Sequence, residues 1–304
     1  MMTRSKRRKV LLTALVVLAA FAALAGGCGN NAGNAGNAGN YAETVADIAD
    51  SFPIQAEPAG GNPQLIDSEG PYAILHTTAG DITILLYSRQ APKAVENFIA
   101  LARAGYYDKT LFHYAKRGEL AQTGRPADAE KAETSIWEEP FADEFDNGLY
   151  HFKGAVGMAG DGRNNNLSQF YLLVQDTVPE DERIVPASFY MNELMAMRVG
   201  ELNERSREAA PDEAELQQFE DDLNGEIQAI GTEGVPAEYR KKYEAAAQQY
   251  QTVGGAWSLD YHYTVFGQIV EGFNVAEAIT QVKVEAATRK PKKDVVIESI
   301  EIRE

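Results

Sequence analysis

A single cysteine, Cys28, occurs in 304 residues, so no intramolecular disulfide can form. Histidine is scarce too. His76, His113, His151 and His262 are scattered, show no ligand spacing of the zinc type, and each reads as a packing or surface residue. Basic residues are outnumbered, 28 Lys and Arg against 45 Asp and Glu, for a net charge of −17. Five of the basic residues, Arg4, Lys6, Arg7, Arg8 and Lys9, fall within residues 1–27, which hold no acid. The remainder carries 23 basic against 45 acidic residues, a net −22. Phosphate binding depends on clustered Lys and Arg, so this balance disfavours nucleic acid as a partner. A surface this acidic also opposes docking onto anionic lipid heads. The uncharged run Val10 to Leu24 has 15 residues, short of the ~20 that a spanning helix needs. Apolar content of 44% is ordinary for a chain with a real core.

A basic start followed by a 15-residue uncharged run is the pattern of a signal peptide. It ends in Leu24-Ala25-Gly26-Gly27-Cys28, which resembles a bacterial lipoprotein cleavage site, with Ala25 where leucine is commonest. The resemblance implies that residues 1–27 are a lipoprotein signal peptide and that Cys28 is lipidated. The protein is then extracytoplasmic and reaches the bacterial cell membrane through its lipid anchor. Ordinary secretion, or an uncleaved leader serving as an anchor, are the alternatives. Exported chains often use disulfides, so a lone cysteine here is better explained as an anchor than as a structural or redox residue. Residues 28–70, with repeated Asn-Ala-Gly to Asn40 and then acidic, Pro- and Gly-containing sequence, read as a flexible tether. A coil of ~40 residues spans on the order of 35 Å.

Ordered sequence begins near Tyr72. Ala73–Thr77 and Ile82–Tyr87 are apolar, β-favouring runs, and Ala79-Gly80-Asp81 between them predicts a hairpin turn. Ala91–Ala102 carries Pro92 in its first turn and apolar residues at Val95, Phe98, Ile99 and Ala102, which predicts a helix stopped by Gly105. Residues 177–256 are helix-like. Phe189, Leu194, Met197 and Leu202 form one apolar stripe; Pro211-Asp212-Glu213 opens a second helix with Leu216, Phe219, Leu223, Ile227 and Ile230 on its face. Pro236-Ala237-Glu238 opens a third, carrying Tyr239, Tyr243 and Tyr250.

Residues 112–124, Phe-His-Tyr-Ala-Lys-Arg-Gly-Glu-Leu-Ala-Gln-Thr-Gly, resemble the active-site hairpin of the cyclophilins, whose frame is Phe-His-Arg, a short turn, then Phe-Met-Ile-Gln-Gly-Gly. Gly154–Ala159 and Asn166–Tyr171 are similar to the family's two central strands, Leu259–Gly267 to the segment that returns to the barrel, Gly272–Ile279 to its second helix, and Val295–Ile302 to its closing strand. The resemblance covers residues 72–176 and 257–303. It implies a mainly β fold: an eight-stranded antiparallel β-barrel capped by two helices, formed by 71–176 and 257–304, with 177–256 as an inserted helical segment. That insert is either a decoration packed on the barrel or a lid or partner surface beside the groove.

The implied reaction is rotation about the Xaa-Pro peptide bond. Resonance sets its barrier at roughly 18–20 kcal/mol, and unaided it takes tens to hundreds of seconds. No nucleophile, metal or cofactor is required. An apolar pocket holds the proline ring, and a donor aimed at the prolyl nitrogen localises the lone pair, which is electrostatic stabilisation. The partners implied are proline-containing segments of exported proteins. By position, Gln122 and Gln169 match groove glutamines, Leu120 a pocket methionine, Tyr171 a pocket phenylalanine, Leu259 the pocket leucine, and Ala159 the alanine beside bound peptide. Phe112 and His113 match the strand before the catalytic arginine and are assigned with these residues to the peptide-binding groove.

Tyr114 stands where the catalytic arginine is expected. Its phenol donates one hydrogen bond but carries no charge near neutral pH, and charge-assisted bonds are roughly twice as strong. Glu119 replaces a pocket phenylalanine, costly if buried. Gly160 replaces an asparagine and Tyr263 a histidine; Trp257 lies one place before the usual tryptophan, where Ser258 stands. Arg117 or Arg125 is a candidate stand-in donor, surface charge being the default. Two functions fit: an extracytoplasmic peptidyl-prolyl isomerase assisting folding of exported proteins, and a catalytically weakened peptide-binding module or chaperone acting through groove and insert. Removing 177–256 separates them, because an isomerase should keep peptide activity and an adaptor should lose its partner.

Overall fold

Two largely buried apolar runs pair as the first hairpin, β1 (Tyr72–Thr77) and β2 (Gly80–Leu86), whose register runs from Tyr72 opposite Leu85 to Thr77 opposite Gly80. The computed structural model describes Gln64 and residues 70–126, 128, 132–145, 148–160, 164–177, 186–208 and 211–304, all within the unit Glu43–Glu304. The leader, Cys28 and nearly all of the tether lie outside the described residues. The turn falls at Thr78-Ala79, ahead of the predicted Ala79–Asp81, because the Thr77 hydroxyl donates to the Gly80 carbonyl (2.6 Å) and accepts from the Ala79 amide (3.1 Å).

Helix α1 (Pro92–Arg103) buries Val95, Phe98, Leu101 and Ala102. Its free first-turn amides at Lys93 and Ala94 donate to the Glu144 carboxylate at 3.1 and 2.9 Å, so a distant loop caps the helix. Then come β3 (Tyr114–Lys116), β4 (Leu120–Thr123), β5 (Ala155–Met158) and β6 (Phe170–Leu173). The insert contributes α2 (Pro186–Glu208), α3 (Glu213–Glu233) and α4 (Ala237–Val253), and β7 (Val265–Glu271), α5 (Phe273–Gln281) and β8 (Ile297–Arg303) complete the chain.

Eight antiparallel strands form one sheet in the order β3-β4-β6-β5-β7-β2-β1-β8. The sheet curls until its ends meet, where the Phe112 amide donates to the Val295 carbonyl (2.9 Å) and Leu111 bridges Val296. The interior is filled by Leu75, Ile82, Ile84, Ala121, Val156, Leu172 and the Phe98, Phe170 and Phe266 rings, with Phe98 5.3 Å from Phe170 and 5.4 Å from Phe266. Helices α1 and α5 pack against the sheet. The fold is thus mainly β, an eight-stranded antiparallel barrel with two helices on it.

In the insert, Asp212 and Glu215 form a reciprocal capping box that starts α3. Leu223 and Ile230 are buried; Leu216, Phe219 and Ile227 are half-buried. Met197 departs from the predicted stripe and is 51% exposed. Phe189 and Leu194 of that stripe are buried, and the buried face of α2 also takes in Glu193 and Ala196, with Glu193 paired to Lys242 of α4 at 3.5 Å. An aromatic stack joins insert to barrel. Phe189 lies 5.7 Å from Tyr243 and 5.9 Å from Tyr250, and Tyr250 lies 4.6 Å from Phe152, just ahead of β5.

Candidate active site

Strand alternation on β3 and β4 sends Ala115 and Ala121 into the barrel and turns Tyr114, Leu120 and Gln122 outward. Gln122 is the partner of Tyr114 on β3 and of Tyr171 on β6, and Tyr171 is the partner of Gly157 on β5. Tyr114, Gln122, Tyr171 and Gly157 therefore form one row across four strands on the outer face. Tyr114, which the sequence matches to the arginine, stands at the β3 end of that row. Arg117 sits exposed in the turn. Glu119 closes that turn, with its amide donating to the Lys116 carbonyl (3.0 Å) and its carboxylate ion-paired to the Lys116 ammonium. It is half-buried rather than enclosed, so a desolvation cost of the buried-charge kind does not arise there.

Beside the row lies an apolar cluster. Leu120 and Leu259 are half-buried against Leu173 and Val265. The Tyr263 ring stands edge-on to Tyr171 at 6.0 Å. Ala159 lies at the groove edge, its amide donating to the Gln169 carbonyl (2.9 Å), with half-buried Gly160 next to it. Phe112 is a correction to the sequence-based assignment: 1% exposed, it packs in the barrel interior and presents nothing to the groove. His113, the next residue, is on the groove side. Burial, and then the positive charge of Arg125, lower its pKa to about 4, so it is neutral near pH 7. Trp257 packs toward the insert, its ring 5.9 Å from Phe189.

The two groove glutamines are joined, Gln122 Nε2 donating to Gln169 Oε1 at 3.0 Å. Gln169 Nε2 donates to Glu133 Oε2 at 2.7 Å. Behind the pocket runs a buried chain that sequence reasoning missed. The Tyr171 hydroxyl is 2.5 Å from His151 Nε2, and His151 Nδ1 is 2.8 Å from Asp260 Oδ1. Asp260 also accepts from the His151 amide (2.8 Å) and the Tyr250 hydroxyl (2.7 Å). Burial pushes the Tyr171 and Tyr250 phenols well above their ordinary pKa. Tyr171 therefore keeps its proton, and the His151 ring is held at both nitrogens, by the phenol at Nε2 and by the Asp260 carboxyl at Nδ1. The pocket floor is tied through His151 and Asp260 to helix α4. His151 had read as a packing or surface residue. Its usable signal was the pairing of an aromatic-flanked histidine with Asp260, an acid within an otherwise apolar and aromatic segment.

The profile of the family described as "Cyclophilin type peptidyl-prolyl cis-trans isomerase/CLD" matches residues 72–186 and 191–302. The chain belongs to the cyclophilin family. It is 32% identical over 231 residues to a Staphylococcus saprophyticus protein provisionally named a peptidyl-prolyl cis-trans isomerase, covering 76% of this chain and 91% of that protein. A similarly named Staphylococcus haemolyticus protein is 32% identical over 243 residues, covering 80% and 96%. A Streptococcus pyogenes protein, provisionally named a bifunctional phosphatase/peptidyl-prolyl cis-trans isomerase, is 32% identical over 235 residues, and there the match spans 77% of this chain but 39% of that protein. Among solved structures, a Cryptosporidium parvum cyclophilin type peptidyl-prolyl cis-trans isomerase is 21% identical, with TM-score 0.49, covering 78% of this cyclophilin and 99% of that chain. Family membership places the protein among the peptidyl-prolyl isomerases.

Proposed function

We propose that this cyclophilin is an extracytoplasmic peptidyl-prolyl cis-trans isomerase, tethered by lipid at Cys28, that assists the folding of exported proteins. The observation that carries the reading is the outward row Tyr114–Gln122–Tyr171 beside the half-buried Leu120 and Leu259 and the Tyr263 ring. It offers donors for a peptide backbone next to an apolar recess for a proline ring. Export delivers unfolded chains, and Xaa-Pro isomerisation can limit their folding. The leader sequence and the Cys28 context support the location. A binder with weakened turnover is the second reading, favoured by the uncharged phenol at Tyr114.

Two-dimensional exchange NMR of a short Ala-Pro peptide tests the activity, with wild type and Tyr114→Arg side by side. Acceleration by wild type supports the isomerase. An inert wild type that gains turnover from Tyr114→Arg replaces it with the binder. Metabolic labelling with radioactive palmitate tests the anchor: wild type should carry label in the membrane fraction and Cys28→Ala should not, and an unlabelled wild type would refute lipidation.

A further inference from the structure

One arginine, Arg117, lies in the turn of the active-site hairpin and another, Arg125, directly follows the hairpin; the second reaches the groove. Arg117 stays at the exposed turn, beyond the Lys116–Glu119 ion pair. Arg125 follows Gly124, whose left-handed φ of +90° lets the chain press against β6. A β-carbon at Gly124 would lie 2.5 Å from the Ser168 carbonyl oxygen and 3.0 Å from Gln169 Cα. That close approach lays the Arg125 side chain along Gln169.

There, Arg125 Nε donates to Gln169 Oε1 at 3.1 Å, the same oxygen that accepts from Gln122 Nε2 at 3.0 Å. Bonded to one atom, the guanidinium Nε and the Gln122 amide nitrogen are no more than about 6 Å apart. Gln122 in turn is the cross-strand partner of both Tyr114 and Tyr171. The Glu133 carboxylate completes the clamp, with Oε2 accepting from Gln169 (2.7 Å) and Oε1 lying 3.4 Å from Arg125 Nε. One edge of the guanidinium is thereby fixed. Its η nitrogens make no hydrogen bond among the described residues, and the side chain is 57% exposed. A permanently charged group is thus oriented beside the row, with its outer N–H groups left for a ligand.

We propose that Arg125 is the cationic donor of this isomerase, entering the groove from the C-terminal end of β4 rather than from the row position held by Tyr114. In the reaction an η N–H donates to the prolyl nitrogen as its lone pair localises. The C–N bond loses double-bond character and rotates, and the donated hydrogen bond weakens again as conjugation returns. No covalent bond forms or breaks, and the guanidinium keeps its proton. Gln122 and Gln169 hold the peptide backbone, and Glu133 holds the arginine.

The inference rests on the isomerase reading, and one experiment separates their failures. Exchange of an Ala-Pro peptide is followed by NMR with the full chain as wild type, Arg125→Gln, Arg125→Lys and Arg117→Gln, fitting exchange rate and peptide affinity separately. Wild type should accelerate exchange. Arg125→Gln should lose roughly 10–100-fold in the rate on bound peptide, the worth of one charge-assisted donor, with a smaller change in affinity. Arg125→Lys keeps the charge and should retain part of the rate; Arg117→Gln should change it less than about twofold. Thermal unfolding of Arg125→Gln near wild type excludes misfolding as the cause, since the side chain is largely exposed. An active wild type with Arg125→Gln within about twofold of it overturns the role of Arg125 alone. A wild type that does not accelerate exchange overturns the isomerase reading and this role with it.

Discussion

The ring of Tyr171 lies over the α-carbon of Gly157, its partner across β5 and β6, so closely that a β-carbon at 157 would stand 2.9 Å from Cε2 and nearer still to Cζ and the hydroxyl. That space lets the phenol reach past β5 to His151. The pocket floor is therefore built by two residues together, a glycine that vacates the sheet surface and a tyrosine that fills it.

Gly157→Ala should push the Tyr171 ring aside and break its hydrogen bond to His151. Overpacking of this kind costs about 1–3 kcal/mol. Urea denaturation measures it, and the NMR signals of the His151 ring should shift in the same variant. A loss below about 0.5 kcal/mol would show that the ring moves freely and is not locked by the glycine.

Asp260 gathers three donors in a buried site: the His151 amide, His151 Nδ1 and the Tyr250 hydroxyl. Asp260→Ala strands all three and should destabilise by about 3–5 kcal/mol, as removal of one partner from a buried charged network does. Tyr250→Phe removes a single donor and leaves the carboxylate two others, so about 1–2 kcal/mol is expected. Chemical denaturation of both variants tests the ranking. Equal losses would mean that the carboxylate is held by Tyr250 alone.

The barrel was legible because its signals are local and repeated: the apolar, β-favouring runs of β1 and β2, the alternation of β8, the proline-led α1, and the Phe112–Gly124 hairpin. The outward set of Tyr114, Leu120, Gln122 and Tyr171 followed from matching positions, and strand pairing supplied their common row. Phe112 was misassigned because adjacency to a catalytic position does not fix a side chain's direction: it lies ahead of β3, outside the strand's alternation, and its ring packs in the barrel interior. The His151–Asp260–Tyr250 chain was hidden for another reason. Its members lie 109 and 10 residues apart, and only folding of the insert brings them together. Arg125 and Glu133 are close in sequence, but their joint hold on Gln169 depends on the backbone approach at Gly124, which no spacing rule reveals.

His113 gives a pH dependence with a definite sign. Its folded pKa of about 4 lies below the ordinary value of 6.5, lowered by burial first and by Arg125 second. Between those values the unfolded chain binds a proton that the folded one does not, so this residue's contribution to stability falls as pH drops from 6.5 to about 4 and is constant below that. Above pH 6.5 it contributes no slope. Histidine ring NMR should show a His113 midpoint near 4 in wild type, and Arg125→Gln should raise it while burial still holds it below 6.5. A wild-type midpoint at or above 6 would place His113 in solvent and Arg125 away from it.

The insert is also bound into the groove, which changes what its removal tests. Phe189 is fully buried between Tyr243, Tyr250 and Trp257, and Phe152 and Tyr261 from the barrel side belong to the same cluster. Deleting 177–256 would uncover Phe152 and take Tyr250 from Asp260, loosening the chain of contacts that ends at Tyr171. The deleted protein should therefore bind an Ala-Pro peptide poorly and expose apolar surface to a hydrophobic dye, whatever the natural function. A point variant in the whole chain is more informative. Phe189→Ala should cost about 3–5 kcal/mol, as large buried aromatics do, in a single unfolding transition sensed alike by the insert tyrosines and by groove signals. Two separate transitions, with the groove signals unmoved in the first, would show that the insert folds apart from the barrel and that its aromatic stack leaves the active site unsupported.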